Sequence, residues 1–312
     1  MEPLTKHTCR GNWGTLLLPI NPDDTIDFSR LSREIDVLIA ARIDGIYSNG
    51  TAGEFHTQTE AEFDQINQLL AEKCNDAGMP FQIGVSHSVP AIMLDRIRRT
   101  QALTPSAYQV ILPDWVALTN QEAQLFLNRT SEAANPVPLV LYNPPHAKRV
   151  LSPAGYYNLS ATTPALISVK LLDGDEQWYE EMKPVADRIA VFVPGHHLAT
   201  GVEKDVAAGA YSNVACINPK AAQQWWQMMQ ADIREALEVQ NAIQLFFNAC
   251  IVPYAKKGFS NPALDKLLAA VGGWAPVGTR LKWPYQWIPE ADVPDVRKGA
   301  RQYLPGWFFD AI

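Results

Sequence analysis

Over the first two-thirds of the chain, hydrophobic and polar positions alternate between two textures. Short apolar runs rich in β-formers fall at residues 15–20, 45–48, 81–85, 108–112, 139–142, 166–171, 189–193 and 211–217, bounded by Pro, Gly, Asn or Asp. Such bounded runs predict strands. Between them lie stretches of helical period. Phe63, Ile66, Leu69 and Leu70 form one apolar stripe, and Ile92, Leu94, Ile97 and Leu103 another. A further helix opens at Thr119, with Glu122 three residues on as a capping box. Eight strands alternating with helices predict a parallel sheet. Strands apolar throughout, such as Val110-Ile111-Leu112, suit a sheet covered on both faces. Eight βα units close into a (β/α)8 TIM barrel, which takes about 250 residues. An open doubly wound sheet is the alternative, and the absence of GxGxxG after the first strand weighs against it.

From Pro219 the texture changes. Residues 221–255 read as one long helix, and residues 262–271 as a second. The last forty residues, rich in proline and tryptophan, read as mostly irregular. The chain divides on this basis into a barrel over residues 1–230 and a C-terminal helical region over 231–312, packed on the barrel. The tryptophans of this tail, among them Trp225, Trp274 and Trp283, belong to an interface or to the core, with the core as the default expectation.

Composition narrows the partners. The net charge of −7 argues against nucleic acid and against an anionic membrane surface, both of which select basic proteins. No apolar run reaches the ~20 residues that span a bilayer. Residues 1–11 carry no apolar signal core. A soluble, cytoplasmic protein is expected. Cys9, Cys74, Cys216 and Cys250 form no CxxC or Cys/His cluster, so reduced thiols are expected rather than a zinc site or a disulfide framework.

In a barrel, chemistry sits at the C-terminal ends of the strands. Three segments there carry reactive groups. Lys170 lies in the apolar run Ile167-Ser168-Val169-Lys170-Leu171. Burial lowers an amine's pKa, and a neutral amine attacks carbonyls. On position alone it reads equally as a strand-end lysine that snorkels to solvent. Tyr142, in Leu141-Tyr142-Asn143-Pro144-Pro145, ends the preceding strand, where a phenol can relay protons or simply fill the core. After strand two, Asn49-Gly50-Thr51-Ala52-Gly53-Glu54 offers successive backbone amides that suit a carboxylate, or else an ordinary turn.

Taken together, the three segments resemble the N-acetylneuraminate lyase / dihydrodipicolinate synthase family of pyruvate-dependent aldolases, lyases and dehydratases. In that family a G-[ST]-[TAS]-G-E loop follows strand two, Y-N-x-P ends strand five and a lysine sits on strand six. The counterparts here are Gly50-Thr51-Ala52-Gly53-Glu54, Tyr142-Asn143-Pro144-Pro145 and Lys170. The resemblance implies that Lys170 forms a Schiff base with a 2-oxo acid. It implies that Tyr142 and Thr51 relay protons, and that the Gly50-Thr51-Ala52 loop holds the substrate carboxylate through its amides. Tyr211 would line the pocket. The resemblance also implies a homotetramer with no metal and no organic cofactor.

The chain departs from the dihydrodipicolinate synthase pattern in three places, the first being Ala52, which lacks the second hydroxyl common in the strand-two loop. His146-Ala147 follows Y-N-x-P where those enzymes carry Gly-Arg, and Trp115 stands where they place a tyrosine. His146 and Trp115 are therefore candidate contacts for the distal part of the substrate, and lysine biosynthesis is disfavoured. His196 and His197 follow the seventh strand and read as substrate contacts or solvated loop residues, since no ligand spacing suggests a metal. The reading is a Schiff-base lyase, aldolase or dehydratase, acting on pyruvate or a 2-keto-3-deoxy sugar acid. The rivals are a non-catalytic 2-oxo acid or effector binding protein on the same barrel and a barrel enzyme of other chemistry with a phosphate site near strands seven and eight.

Overall fold

The computed structural model describes residues 1–307; the last five residues of the expected C-terminal region lie outside them. Eight parallel strands close into a barrel in chain order: β1 (Gly11–Thr15), β2 (Gly45–Ser48), β3 (Phe81–Gly84), β4 (Ala107–Ile111), β5 (Leu139–Tyr142), β6 (Leu166–Lys170), β7 (Ala190–Phe192) and β8 (Ala207–Tyr211). β8 pairs with β1 to complete the ring. The helices between them are α1 (Phe28–Ala40), α2 (Glu60–Ala77), α3 (Pro90–Thr100), α4 (Asn120–Ala134), α5 (Pro153–Thr162), α6 (Glu176–Ala186) and α7 (Leu198–Glu203). The protein is a (β/α)8 barrel, as the alternation of textures predicts.

Side chains alternate across the sheet, as the period of two requires. Ile46, Leu139, Leu141, Val169 and Ala210 pack between strands and helices. Trp13, Tyr47, Val140, Phe192 and Tyr211 fill the barrel interior. Helix starts follow their capping residues: Thr119 and Glu122 form the expected box on α4, and Thr59 with Glu62 forms a second on α2.

Two strands lie earlier in the chain than their apolar runs suggest. Strand β1 is Gly11–Thr15, and the more hydrophobic Leu16-Leu17-Leu18 follows it as a buried loop. Small residues decide this. Gly14 packs where a Cβ would come within 2.7 Å of the Ile43 side chain. Likewise β8 is Ala207–Tyr211, a run of small residues, one of which, Gly209, meets the Gly11 backbone. The expected strand from Tyr211 onward is instead the short helix α8 (Asn213–Ile217), capped by the Ser212 hydroxyl.

The tail is more broken than expected, and also more ordered. In place of one helix there are α9 (Pro219–Ala231), α10 (Ile233–Phe246), a π-turn over Phe247–Ile251 and α11 (Val252–Lys256). Asp232 interrupts the run by capping α10 with its own carboxylate. Helix α12 (Asn261–Gly272) covers the expected second helix. Helix α13 (Val293–Tyr303) was not expected. Its apolar stripe is only Val293, Val296 and Ala300, with charged residues between, and prolines surround it. Trp225 is buried and donates to Ala236 O at 2.9 Å. Trp274 is half-buried and donates to Cys216 O. Trp283, expected in the core, is 76% exposed, because it sits in the irregular Lys282-Trp283-Pro284 turn. All four cysteines are free thiols. Among the described residues, no helix is long and apolar enough to cross a membrane.

Candidate active site

The strand register brings Lys170 and Tyr142 side by side at the C-terminal ends of β6 and β5, where they are direct pairing partners. Both point into a cavity of about 290 Å³ at the mouth of the barrel. Thr51, Ala52 and Tyr211 line the same cavity. The structure thus assembles five of the residues singled out in the sequence.

Lys170 Nζ sits among three phenols. It donates to the Tyr47 hydroxyl at 3.2 Å and lies 4.8, 4.3 and 5.2 Å from the ring centres of Tyr47, Tyr142 and Tyr211. Among the described residues, no carboxylate forms an ion pair with it. Burial pulls its pKa down to about 8, with Asp265 and Cys216 opposing. A substantial fraction of the amine is therefore neutral near physiological pH and available to a carbonyl. Burial raises the Tyr142 phenol, with the Thr51 hydroxyl beside it opposing the rise.

The loop after β2 is held in a strained shape. Asn49 and Glu54 adopt left-handed backbone, φ 55° and 52°, which non-glycine residues seldom take. Gly50 is needed for a different reason from the one its sequence position suggests. A Cβ there would come within 2.6 Å of Tyr47 Cε2, so the glycine makes room for the ring that contacts Lys170. Gly50 itself is not part of the cavity wall. The Glu54 carboxylate pins the loop from behind: it pairs with Lys266 of α12 and accepts the Lys282 N–H at 2.8 Å. Among the described residues, the N–H groups of Thr51 and Ala52 donate to no protein acceptor.

The remaining two candidates lie elsewhere. His146 lines an adjoining chamber of about 590 Å³, with Thr51, His56, Asp114, Asn261 and Tyr285 among its neighbours. Thr51 and Asn261 belong to both spaces. None of the residues lining that chamber is a lysine or arginine. The two nearest in sequence are engaged: Lys148 donates to Trp115 O, and Arg149 bonds Leu118 O and Asn120 Oδ1. Trp115 lies outside both spaces, 85% exposed, with Lys148 Nζ 5.0 Å from its ring centre.

Of the paired histidines, His196 reaches the cavity and His197 does not. His196 stacks on Phe247 at 5.0 Å and bonds Asn213 through Nδ1. Burial, with His197 adding, drops its pKa to about 4, so it is a neutral imidazole. His197 is tied to Asp173 at 2.9 Å. Among the described residues, no group of three or more His, Cys, Asp or Glu side chains is placed to hold a metal ion.

Sequence reasoning passed over Tyr47 and Asp265. Tyr47 carried a signal, because alternation along Gly45-Ile46-Tyr47-Ser48 turns it to the face opposite Ile46, which is the barrel interior. Asp265 carried a fainter signal, a lone acid in the apolar helical run Pro262-Ala263-Leu264-Asp265-Lys266-Leu267-Leu268. It sits with Leu264 and Leu268 on the cavity wall.

Fold and site together define a (β/α)8 barrel with a buried lysine in the cavity at the C-terminal ends of its strands. The chain belongs to the Dihydrodipicolinate synthetase family, whose profile matches residues 8–293. It is 27% identical over 279 residues to a 4-hydroxy-tetrahydrodipicolinate synthase of Thermomicrobium roseum, covering 87% of this chain and 88% of that one. It is 24% identical over 181 residues to an N-acetylneuraminate lyase of Citrobacter koseri, covering 56% of this chain and 58% of that one. Among solved structures, the prophage protein YagE of Escherichia coli K12, in complex with pyruvate, superposes with a TM-score of 0.82 at 18% identity over 95% of this chain and 98% of that one. A catalytic-lysine mutant of the Ruminococcus gnavus sialic acid aldolase gives 0.83 at 16%, over 99% and 100%. The family carries the activity class: the protein is a Schiff-base-forming lyase of the class I aldolase type.

Proposed function

We propose that the protein cleaves or dehydrates a 2-keto-3-deoxy sugar acid, with Lys170 as the nucleophile. The amine adds to C2 of the 2-oxo acid and expels water to give a protonated imine. That imine draws electrons from C3, which permits either C3–C4 cleavage or loss of a C4 hydroxyl. Tyr142 and Thr51 move protons during imine formation, and the free amides of Thr51 and Ala52 receive the carboxylate. Tyr211 shapes the floor of the pocket. The chemistry rests on the lysine and needs neither a metal nor an organic cofactor.

The observation that carries this reading is the lysine amine held among Tyr47, Tyr142 and Tyr211, partly neutral and with no carboxylate paired to it. The choice of substrate class rests on the adjoining chamber. A second carboxylate would meet histidines, a tyrosine and Asp114 there, with no lysine or arginine. Burial and the neighbouring His146 pull the His56 pKa down, which disfavours a cation there. A hydroxylated chain suits such a lining. We place Trp115 and Val116, both exposed, at the contact between subunits of a homotetramer in the cytoplasm.

The test is reductive trapping. Incubation with pyruvate and sodium borohydride is expected to leave a stable adduct on Lys170, mapped by mass spectrometry. Trapping on another residue, or no adduct with pyruvate and a panel of longer 2-oxo acids, would sink the proposal.

A further inference from the structure

Asp265 projects from α12 into the wall of the cavity that holds Lys170. The other ionisable groups there are shifted by burial, engaged or both. The Tyr47 hydroxyl accepts from Lys170, and Tyr211 donates to Gln82 at 2.7 Å. His196 Nδ1 is held by Asn213. The Cys216 thiol is driven well above its ordinary pKa by burial, and Tyr142 is raised by burial as well. Among the described residues, the Asp265 carboxylate alone of these has no hydrogen-bond or ion-pair partner. The groups whose charge it feels or exerts in the cavity are Lys170 on β6, Tyr47 on β2, Tyr142 on β5 and Cys216 on α8.

We propose that Asp265 is a catalytic acid–base group of this enzyme, carrying one proton between C3 and the C4 oxygen of the substrate held as its Lys170 imine. The inference rests on the Schiff-base reading above. Once the imine forms at Nζ, C2 is bonded to that nitrogen and C3 and C4 follow, inside the wall that Asp265 shares. In a dehydration, the carboxylate takes the C3 proton while the C–H electron pair forms the C2=C3 enamine and the imine nitrogen takes up the displaced pair. The resulting carboxylic acid then gives that proton to the C4 hydroxyl as the enamine expels it, so water leaves and the carboxylate is restored. In a retro-aldol cleavage the same proton runs the other way. The carboxylate takes it from the C4 hydroxyl, the C3–C4 pair enters the enamine, the aldehyde departs, and the acid protonates C3. Either course needs a group that both loses and gains a proton near neutral pH. Burial, opposed by Lys170, lifts the Asp265 pKa to about 7.

Pyruvate alone suffices for the test, because its C3 protons exchange with solvent through the enamine. The full-length protein and its Asp265→Asn and Asp265→Glu variants are incubated with pyruvate in D2O, and loss of the methyl signal is followed by NMR. Borohydride trapping is run in parallel. The wild type is expected to trap and to exchange, with a rate that rises through pH ~7. Asp265→Asn is expected to trap pyruvate on Lys170 within a few-fold of wild type and to lose exchange by roughly 100-fold or more, with no step at pH 7. Asp265→Glu is expected to recover part of the rate. Undiminished exchange by Asp265→Asn would overturn the assignment, as would loss of its trapping, which would place Asp265 in imine formation or in folding of the site. If wild type forms no adduct, the Schiff-base reading itself fails; if it traps but does not exchange, only the proton shuttle fails.

Discussion

Lys170 and Lys266 are both taken out of water in this protein, and the structure treats them in opposite ways. Lys266 is wholly buried on α12, meets the equally buried Glu54 carboxylate and donates to Arg280 O. Burial lowers its pKa, and Glu54 opposes that fall. Lys170 has phenol rings around it and no paired carboxylate, so burial prevails over the opposing charge of Asp265 and lowers its pKa. A buried amine becomes a structural cation when an anion sits against it and a nucleophile when none does. The two environments meet on one helix. Asp265 and Lys266 are consecutive, about 100° apart around α12, so one faces the cavity and the other faces the loop that carries Thr51.

The sharpest way to break the contrast is to remove each lysine in turn. Lys170→Ala is expected to cut turnover by roughly 10⁴-fold or more and abolish trapping, while the melting temperature stays near that of wild type. A large loss of stability in this variant would mean that Lys170 is structural after all. Lys266→Met or Glu54→Gln strands a buried charge and is expected to cost about 3–5 kcal/mol, seen as a fall of roughly 5–8 °C in thermal melting. The Glu54→Gln/Lys266→Met double variant should recover much of that loss, since neither charge is then left unpaired.

The pH dependence sharpens the same point. Lys170 reacts as the neutral amine, and its folded pKa is lowered. The initial rate of adduct formation with pyruvate should therefore rise roughly tenfold per pH unit below the titration and level off above about 8. A plateau reached only near pH 10 would show that the amine is not neutralised by burial. Gly50→Ala, which drives a Cβ into the Tyr47 ring, is expected to cost about 1–3 kcal/mol and to slow trapping through displacement of Tyr47. Thr119→Ala, at the cap of α4 and remote from either lysine, is expected to cost about 1 kcal/mol with trapping unchanged.

Much of this molecule is legible in the order of its residues. The alternation of apolar runs and helical stripes specifies eight βα units, because a parallel sheet buried on both faces demands strands apolar throughout. Lys170, Tyr142 and the Thr51 loop could be placed at strand ends, and period-two alternation turns Tyr142 and Lys170 inward together. Strands β1 and β8 were misplaced because hydrophobicity marks burial rather than pairing. Leu16-Leu17-Leu18 is buried as a loop, while glycines and alanines pair where backbones come closest. Gly50 reads locally as a carboxylate loop residue, yet its steric purpose is the Tyr47 ring. Asp265 lies about a hundred residues from Lys170, and no local pattern relates them. The sequence by itself determined the barrel, the lysine and its neighbour on the preceding strand, since these follow from periodicity and from βα units adjacent in the chain. Tertiary structure alone decided which buried amine meets an anion, and which carboxylate the C-terminal helices carry over the barrel mouth, because those juxtapositions arise only when the tail packs across it.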